Sequence, residues 1–244
     1  MSAQAKLSCY PSQDQIRSAN LHPKIYSWLQ RFPAQELAQF DAVGDIRARV
    51  LDESQRLLIH IFQIHDKHLG TQGRASQLVR FVQNNIYQIL KFCSNHSAVQ
   101  MRHVFYENLL CSDEDRLNQD IANIRRGLVN PNAYQLEANS VLRLSVKEGI
   151  RVCGTEDRAL LEENQRWIQI IGAQQGRLTP EQFQEVQRVM EDREDFLLRH
   201  ISNLADRIHF VVCGGGHDFF GNVQKWNQKH AEDKFGLINI SPTK

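Results

Sequence analysis

Arg56-Leu-Leu-Ile-His-Ile-Phe-Gln-Ile64 is an almost unbroken apolar run. A strand with one wet face alternates apolar and polar residues. A run without that alternation fits a strand covered on both faces, as in a parallel sheet packed between helices. Arg207-Ile-His-Phe-Val-Val-Cys213 has the same character, and His103-Val-Phe-Tyr-Glu-Asn-Leu109 and Ile150-Arg-Val-Cys-Gly154 are shorter versions of it. Phe235-Gly-Leu-Ile-Asn-Ile240 is a terminal strand candidate.

Helical patterns fill the spaces between these runs. From about Ala75 to Phe92, residues Leu78, Val79, Val82, Ile86, Ile89 and Leu90 recur at helical spacing. Leu117, Ile121 and Ile124 mark a second helix, with Ser112 or Asp113 placed to cap it. Tyr134 to Glu148 reads as one helix stopped by Gly149. Two more span Asp157 to Ala173 and Pro180 to Leu204, and a last one lies around Val223 to Asp233. Thr179-Pro180-Glu181-Gln182 carries the capping-box signature. Strands alternating with helices predict a three-layer α/β fold with a mostly parallel central sheet flanked by long helices. Ahead of it, residues 1–55 read as an N-terminal helical extension, with helical spacing at Ser27 to Gln30 and Pro33 to Phe40 and a charged stretch at Asp45 to Glu53. Residues 56–244 form the α/β domain.

The chain of 244 residues carries 29 Lys+Arg against 28 Asp+Glu, a formal charge of +1. That balance gives no electrostatic footprint for nucleic acid. With 41% hydrophobic and 23% charged residues the composition is that of a soluble globular protein. No apolar run approaches the roughly 18 residues of a membrane span. Cys9, Cys93, Cys111, Cys153 and Cys213 are scattered, with no CxxC pair. They read as buried thiols of a chain that is cytoplasmic or delivered into a reducing compartment. Met1 to Ser12 has no apolar segment of the kind a signal peptide needs.

Ionisable groups collect at the strand ends: His65 with Asp66 and His68 after the first strand, Glu107 in the second, Asp157 with Glu156 after the third, and Gly214-Gly215-Gly216-His217 after the fourth. Open α/β sheets bind ligands outside the carboxyl ends of their strands. The glycines Gly214, Gly215 and Gly216 allow close backbone approach and could expose N–H groups to an oxyanion; a plain strand-to-helix turn explains them equally. His65 reads as a base, a ligand or part of a polar loop. Glu107, partly desolvated, suits general-base or ligand work, with a solvated strand end as the alternative. Glu191 to Asp195 reads mainly as a solvated helix face, from which Arg193 stands out as a clamp for an anionic or carbonyl substrate. Cys213 beside His217 is a weaker nucleophile candidate, and His60 reads as a core histidine.

Taken in order, these motifs resemble the erythromycin esterase/ChaN-like superfamily, which includes the TraB and Tiki proteins. The residues that carry the resemblance are the strand ending in His65, the strand ending in Glu107, Gly149-Ile-x-Val-x-Gly-x-x-Asp157, the pair Arg193-Glu194, and Gly214-x-x-His217. The resemblance spans about Leu57 to Ile240 and rests on short spaced motifs. It implies a cleft at the strand ends and activities that range from opening a macrolide lactone through haem binding to metal-dependent proteolysis. It implies His65 as base or metal ligand, Glu107 and His217 as ligands or base partners, and Arg193 as clamp. Asp66, Asp157, Gly214, Gly215 and Gly216, at the same strand ends, are expected to line the substrate. Phe62-Gln63-Ile64 stand where relatives carry a glycine, often with a glutamate.

Three functional readings follow. The first is a hydrolase of ester or amide bonds acting on a small molecule or peptide. Its metal, if one binds His65, Glu107 and His217, would be manganese or zinc. The second is a haem- or other ligand-binding protein. The third is a non-catalytic interaction protein, such as a bacterial effector, that retains the fold.

Overall fold

The computed structural model describes residues 45–49, 54–64, 77–95, 101–131, 133–214 and 216–242. The expected helices before Asp45 lie outside the described residues. The described chain runs β1 (Asp45–Arg49), β2 (Arg56–Gln63), α1 (Gln77–Asn95), β3 (His103–Leu110), α2 (Glu114–Arg125), α3 (Ala133–Ala138) and α4 (Ser140–Glu148). It continues with β4 (Arg151–Glu156), α5 (Arg158–Ala173), α6 (Pro180–Ser202), β5 (Ile208–Gly214), α7 (Phe220–Lys229) and β6 (Phe235–Ser241).

The strands form one sheet in the order β1-β6-β2-β5-β3-β4. All neighbouring pairs are parallel except β1 with β6. β2 lies between β6 and β5, and every residue of it but Phe62 is buried, as its unbroken apolar run requires. Helices cover both faces, so the fold has three layers. On one face Leu57, Ile59, Val104 and Val212 pack with Ile86 and Leu90 of α1 and Leu144 of α4. On the other, Leu58, Phe105, Val211 and Leu237 pack with Leu197, Leu198 and Ile201 of α6 and Val223 of α7. From β2 the chain goes through α1 to β3 on the first face. From β4 it goes through α6 to β5 on the second, and then away through α7 to β6. The direction of winding therefore reverses around β5, where doubly wound sheets open their ligand crevice.

Two elements differ from expectation. Asp45–Arg49, read as a charged stretch, is a strand pairing antiparallel with β6. Charged residues are usual on an edge strand, where they discourage pairing with other chains. The helix expected over Tyr134 to Glu148 is two helices. Asn139 between them adopts φ −139° and ψ 98°, and its side chain accepts from the Leu142 N–H as the cap of α4. The Thr179 capping box is present: Thr179 Oγ1 accepts from Gln182 N at 3.2 Å and Gln182 Oε1 accepts from Thr179 N at 3.0 Å.

The other edge, β4, is blocked by side chains. Asn118 accepts from Val152 N (3.0 Å) and donates to Val152 O (2.7 Å), and Glu114 accepts from Gly154 N at 2.8 Å. The turn after β3 lies directly on Gly154, where a Cβ would sit 2.6 Å from Leu109 O and 2.7 Å from Cys111 N. Both are backbone atoms, so they cannot rotate away. Gly154→Ala is therefore expected to cost up to about 3 kcal/mol through overpacking. Urea unfolding at fixed pH measures it, and a midpoint equal to the parent's would show that the turn yields.

Candidate functional site

β3 bends at the site. Tyr106 pairs with Gly154 and Leu110 with Glu156, so the β3 side carries extra residues between those pairs. Asn108 takes φ 63° within this bulge. A bulge twists a strand and re-aims its side chains. Here it turns Glu107 toward β5, where its Oε2 accepts from Gly214 N. Gln63 at the end of β2 donates to the same oxygen at 3.2 Å. A Cβ on Gly214 would stand 3.2 Å from that oxygen, tight enough to push Glu107 back.

Helix α6 brings the remaining charges. Val189, Arg193, Glu194, Leu197, Leu198 and Ile201 are its buried residues, one stripe at helical spacing. Arg193 donates through Nε and Nη2 to the two oxygens of Glu156, at 2.9 and 2.6 Å. Its Nη2 lies 3.9 Å from Glu107 Oε1. Thr155 Oγ1 and Asn108 N also donate to Glu156 Oε1, at 3.1 and 3.4 Å.

His217 sits between two carboxylates. A turn places it, with its N–H donating to Gly214 O at 3.2 Å. Its ring stacks on Phe219 at 5.7 Å between centroids. Nδ1 lies 3.1 Å from Glu194 Oε1. Nε2 lies 3.6 Å from Glu107 Oε1, within Coulomb range but without a hydrogen-bond partner. Side-chain exposure is 5% for His217, 8% for Glu194, 11% for Glu107 and 3% for Arg193 and for Glu156, so these charges interact away from bulk water. Burial opposes a charge on His217, but Glu107 and Glu194 outweigh it and raise its pKa above the usual imidazole value.

No protein-family model and no curated protein matches the chain. Among solved structures it is similar to the type III effector HopBA1. That likeness has a TM-score of 0.35 and 15% identity over 66% of this chain and 67% of the effector, too slight to inform the site.

Of the expected site residues, Glu107, Arg193, Gly214 and His217 come together. His65, His68, Asp66 and Gly215 lie outside the described residues. Gly216 follows in the turn, exposed. Asp157 serves as the cap of α5, accepting from Ala159 N (2.9 Å) and Leu160 N (3.3 Å), and its neighbour Glu156 is the carboxylate that enters the cluster. Within Glu191 to Asp195, Glu191 is exposed as expected, whereas Glu194 is buried with Arg193. Cys213 is fully buried. Burial first, and then Glu107 and Glu156, push its thiol well above the ordinary range, so a thiolate nucleophile is disfavoured. His60 is a core residue between Phe62 and Phe219, with no well-formed hydrogen bond to either ring nitrogen.

A cavity of about 280 Å³ opens beside Glu107 on the α4 side. Leu109, Leu117, Val141, Leu142 and Val152 make its apolar wall. Tyr106 and Asn139, joined by an Asn139 Nδ2 to Tyr106 Oη hydrogen bond of 3.0 Å, add polar groups. Among the described residues, no histidine lines it.

Proposed function

We propose that this chain hydrolyses an ester or amide bond of a small molecule, with Glu107 and His217 as the acid–base pair. The carrying observation is the imidazole held at Nδ1 by Glu194, with Nε2 facing the Glu107 carboxylate at 3.6 Å. The reading agrees with the resemblance to the erythromycin esterase/ChaN-like superfamily, whose motifs fall on the same residues.

Glu107, ionised, takes a proton from the attacking water as the water's oxygen bonds to the carbonyl carbon. His217, protonated, gives its Nε2 proton to the leaving oxygen or nitrogen as that bond breaks. Glu107 then returns the proton to His217 across the gap, and the pair is restored. Glu194 orients the ring and stabilises its charge. Arg193 neutralises Glu156 and places its Nη2 3.9 Å from Glu107 Oε1. The cavity at Tyr106 and Leu142 would hold the acyl group, its volume suiting a ligand smaller than a drug-sized molecule.

Manganese or zinc also fits this donor set, because His217 Nε2, which has no hydrogen-bond partner, lies 3.6 Å from the Glu107 carboxylate, and His65 is the expected third ligand. When bound, such an ion would lower the pKa of its water.

The test is hydrolysis of a panel of nitrophenyl esters and anilides by the full chain. His217→Asn and Glu107→Gln are each expected to lower turnover by about 10²–10⁴-fold. Turnover by the parent is expected to fall on the alkaline side as His217 loses its proton, at a pH above the usual imidazole range because its pKa is raised. Equal turnover by parent and variants would overturn the assignment. The burial of the cluster and the mutual saturation of Arg193 and Glu156 favour a second reading, a non-catalytic protein in which the network only locks the strand ends. An inert parent across the panel would support that reading.

A further inference from the structure

A second constellation lies two helical turns further along α6. Cys111, in the 3₁₀ turn after β3, Glu114, in the first turn of α2, and His200, in the last turn of α6, each offer a donor atom, and the three atoms lie within 4.8 Å of one another. We infer that Cys111 Sγ, Glu114 Oε1 and His200 Nε2 form a binding site for a divalent transition-metal ion of zinc type, separate from the His217 cluster.

Glu114 Oε1 and His200 Nε2 are 3.7 Å apart. Ligand atoms on a tetrahedral zinc stand roughly 3.3–3.8 Å from one another, given bonds of about 2.0–2.3 Å. That pair is already at coordinating separation, and the sulfur needs to close by at most about 1 Å, within reach of a χ1 adjustment. The donor set of one sulfur, one nitrogen and one oxygen suits zinc rather than magnesium or calcium, which take oxygen ligands.

The ligands are also held from outside. The His200 ring stacks on Phe196 (6.2 Å, 1°) and meets Phe105 edge-on (5.8 Å, 89°), which fixes its plane. Glu114 Oε1 accepts from Gly154 N, and Glu114 Oε2 lies 3.7 Å from Arg151 Nη2. Cys111 Sγ faces Gly154 O at 3.6 Å. Partners of this kind orient metal ligands. All three residues are partly exposed, which leaves an entry path and a fourth position for water. Binding forms the metal–sulfur bond and releases the Cys111 thiol proton to solvent.

Cobalt(II) reports such a site, because a thiolate–cobalt bond gives a near-ultraviolet charge-transfer band. The full chain, treated with chelator and desalted, is expected to bind one equivalent of cobalt(II) with that band and to release it to zinc(II). Cys111→Ser should abolish the band, and His200→Ala should weaken binding by more than about tenfold. His200 stands in the last turn of α6, outside the turn that carries Cys111, so its variant reports on ligation even if Cys111→Ser disturbs that turn. His217→Asn should leave the band intact, so failure of the acid–base proposal and failure of this one are distinguishable. The inference is overturned if no band forms, or if the band survives Cys111→Ser or is unaltered in His200→Ala.

Discussion

Arg193→Ala is expected to destabilise the fold by about 3–5 kcal/mol, because it leaves the Glu156 carboxylate buried without its partner. Arg193 and Glu156 are each 3% exposed in their side chains and share two hydrogen bonds of 2.9 and 2.6 Å. Taking both charges out of water offsets most of their attraction, so the pair itself contributes little net stability. The cost arises from breaking it on one side. The double variant Arg193→Met with Glu156→Leu is therefore expected to regain most of the loss, since apolar replacement of a whole buried pair is often neutral or better. Equilibrium denaturation of the three variants reads this directly. A single variant within about 0.5 kcal/mol of the parent would mean that water reaches Glu156.

Acid is expected to unfold the protein over the window from pH 6.5 down to about 3. Burial drives the pKa of His60 and of His209 from 6.5 to about 3. Below pH 6.5 the unfolded chain protonates both rings and the folded chain does not, so the unfolded state binds more protons and stability falls with pH. Each ring contributes about 1.4 kcal/mol per pH unit, and the two together about 2.7. His217 acts in the opposite sense. Its pKa is raised in the fold, so its contribution is complete below 6.5 and is lost as pH rises through the folded value. From these three groups, stability should therefore peak near pH 6.5. His209 lies among Phe105, Phe235 and His103, with centroids 6.2, 6.4 and 6.0 Å away, and phenylalanine suits that site. His209→Phe should roughly halve the acid slope. An unchanged slope would place the acid sensitivity elsewhere.

How much of this was legible depended on how local each cause is. β2 and β5 could be read from composition, because a strand covered on both faces has no polar alternation to confuse it. The capping box at Thr179 could be read because its two hydrogen bonds close within four residues. The strand at Asp45 could not, since its charged sequence becomes a strand only through pairing with β6, far along the chain. Asn139 broke an expected helix because its side chain competes locally for the backbone, a signal that apolar spacing does not carry.

The site divides in the same way. Glu107 and His217 stand at strand ends, where convergence is a property of the fold class. Glu194 was hidden in a charged run. Its helical phase with Val189, Leu197 and Ile201 was the signal that could have exposed it. Glu156 and Asp157 exchange their expected weight because β4 runs on to Glu156 and the chain turns into α5 at Asp157. Cys111, Glu114 and His200 come from separate elements whose meeting depends on how α6 lies across the sheet, which no local pattern encodes.

His217 carries its proton between Glu194 and Glu107 in the proposed reaction. Imidazole NMR of His217 through a pH titration tests it most directly. The pKa is expected above 6.5 in the parent and lower in Glu194→Gln, because the carboxylate at Nδ1 is lost. A His217 that titrates at or below 6.5, or one indifferent to Glu194→Gln, would contradict it.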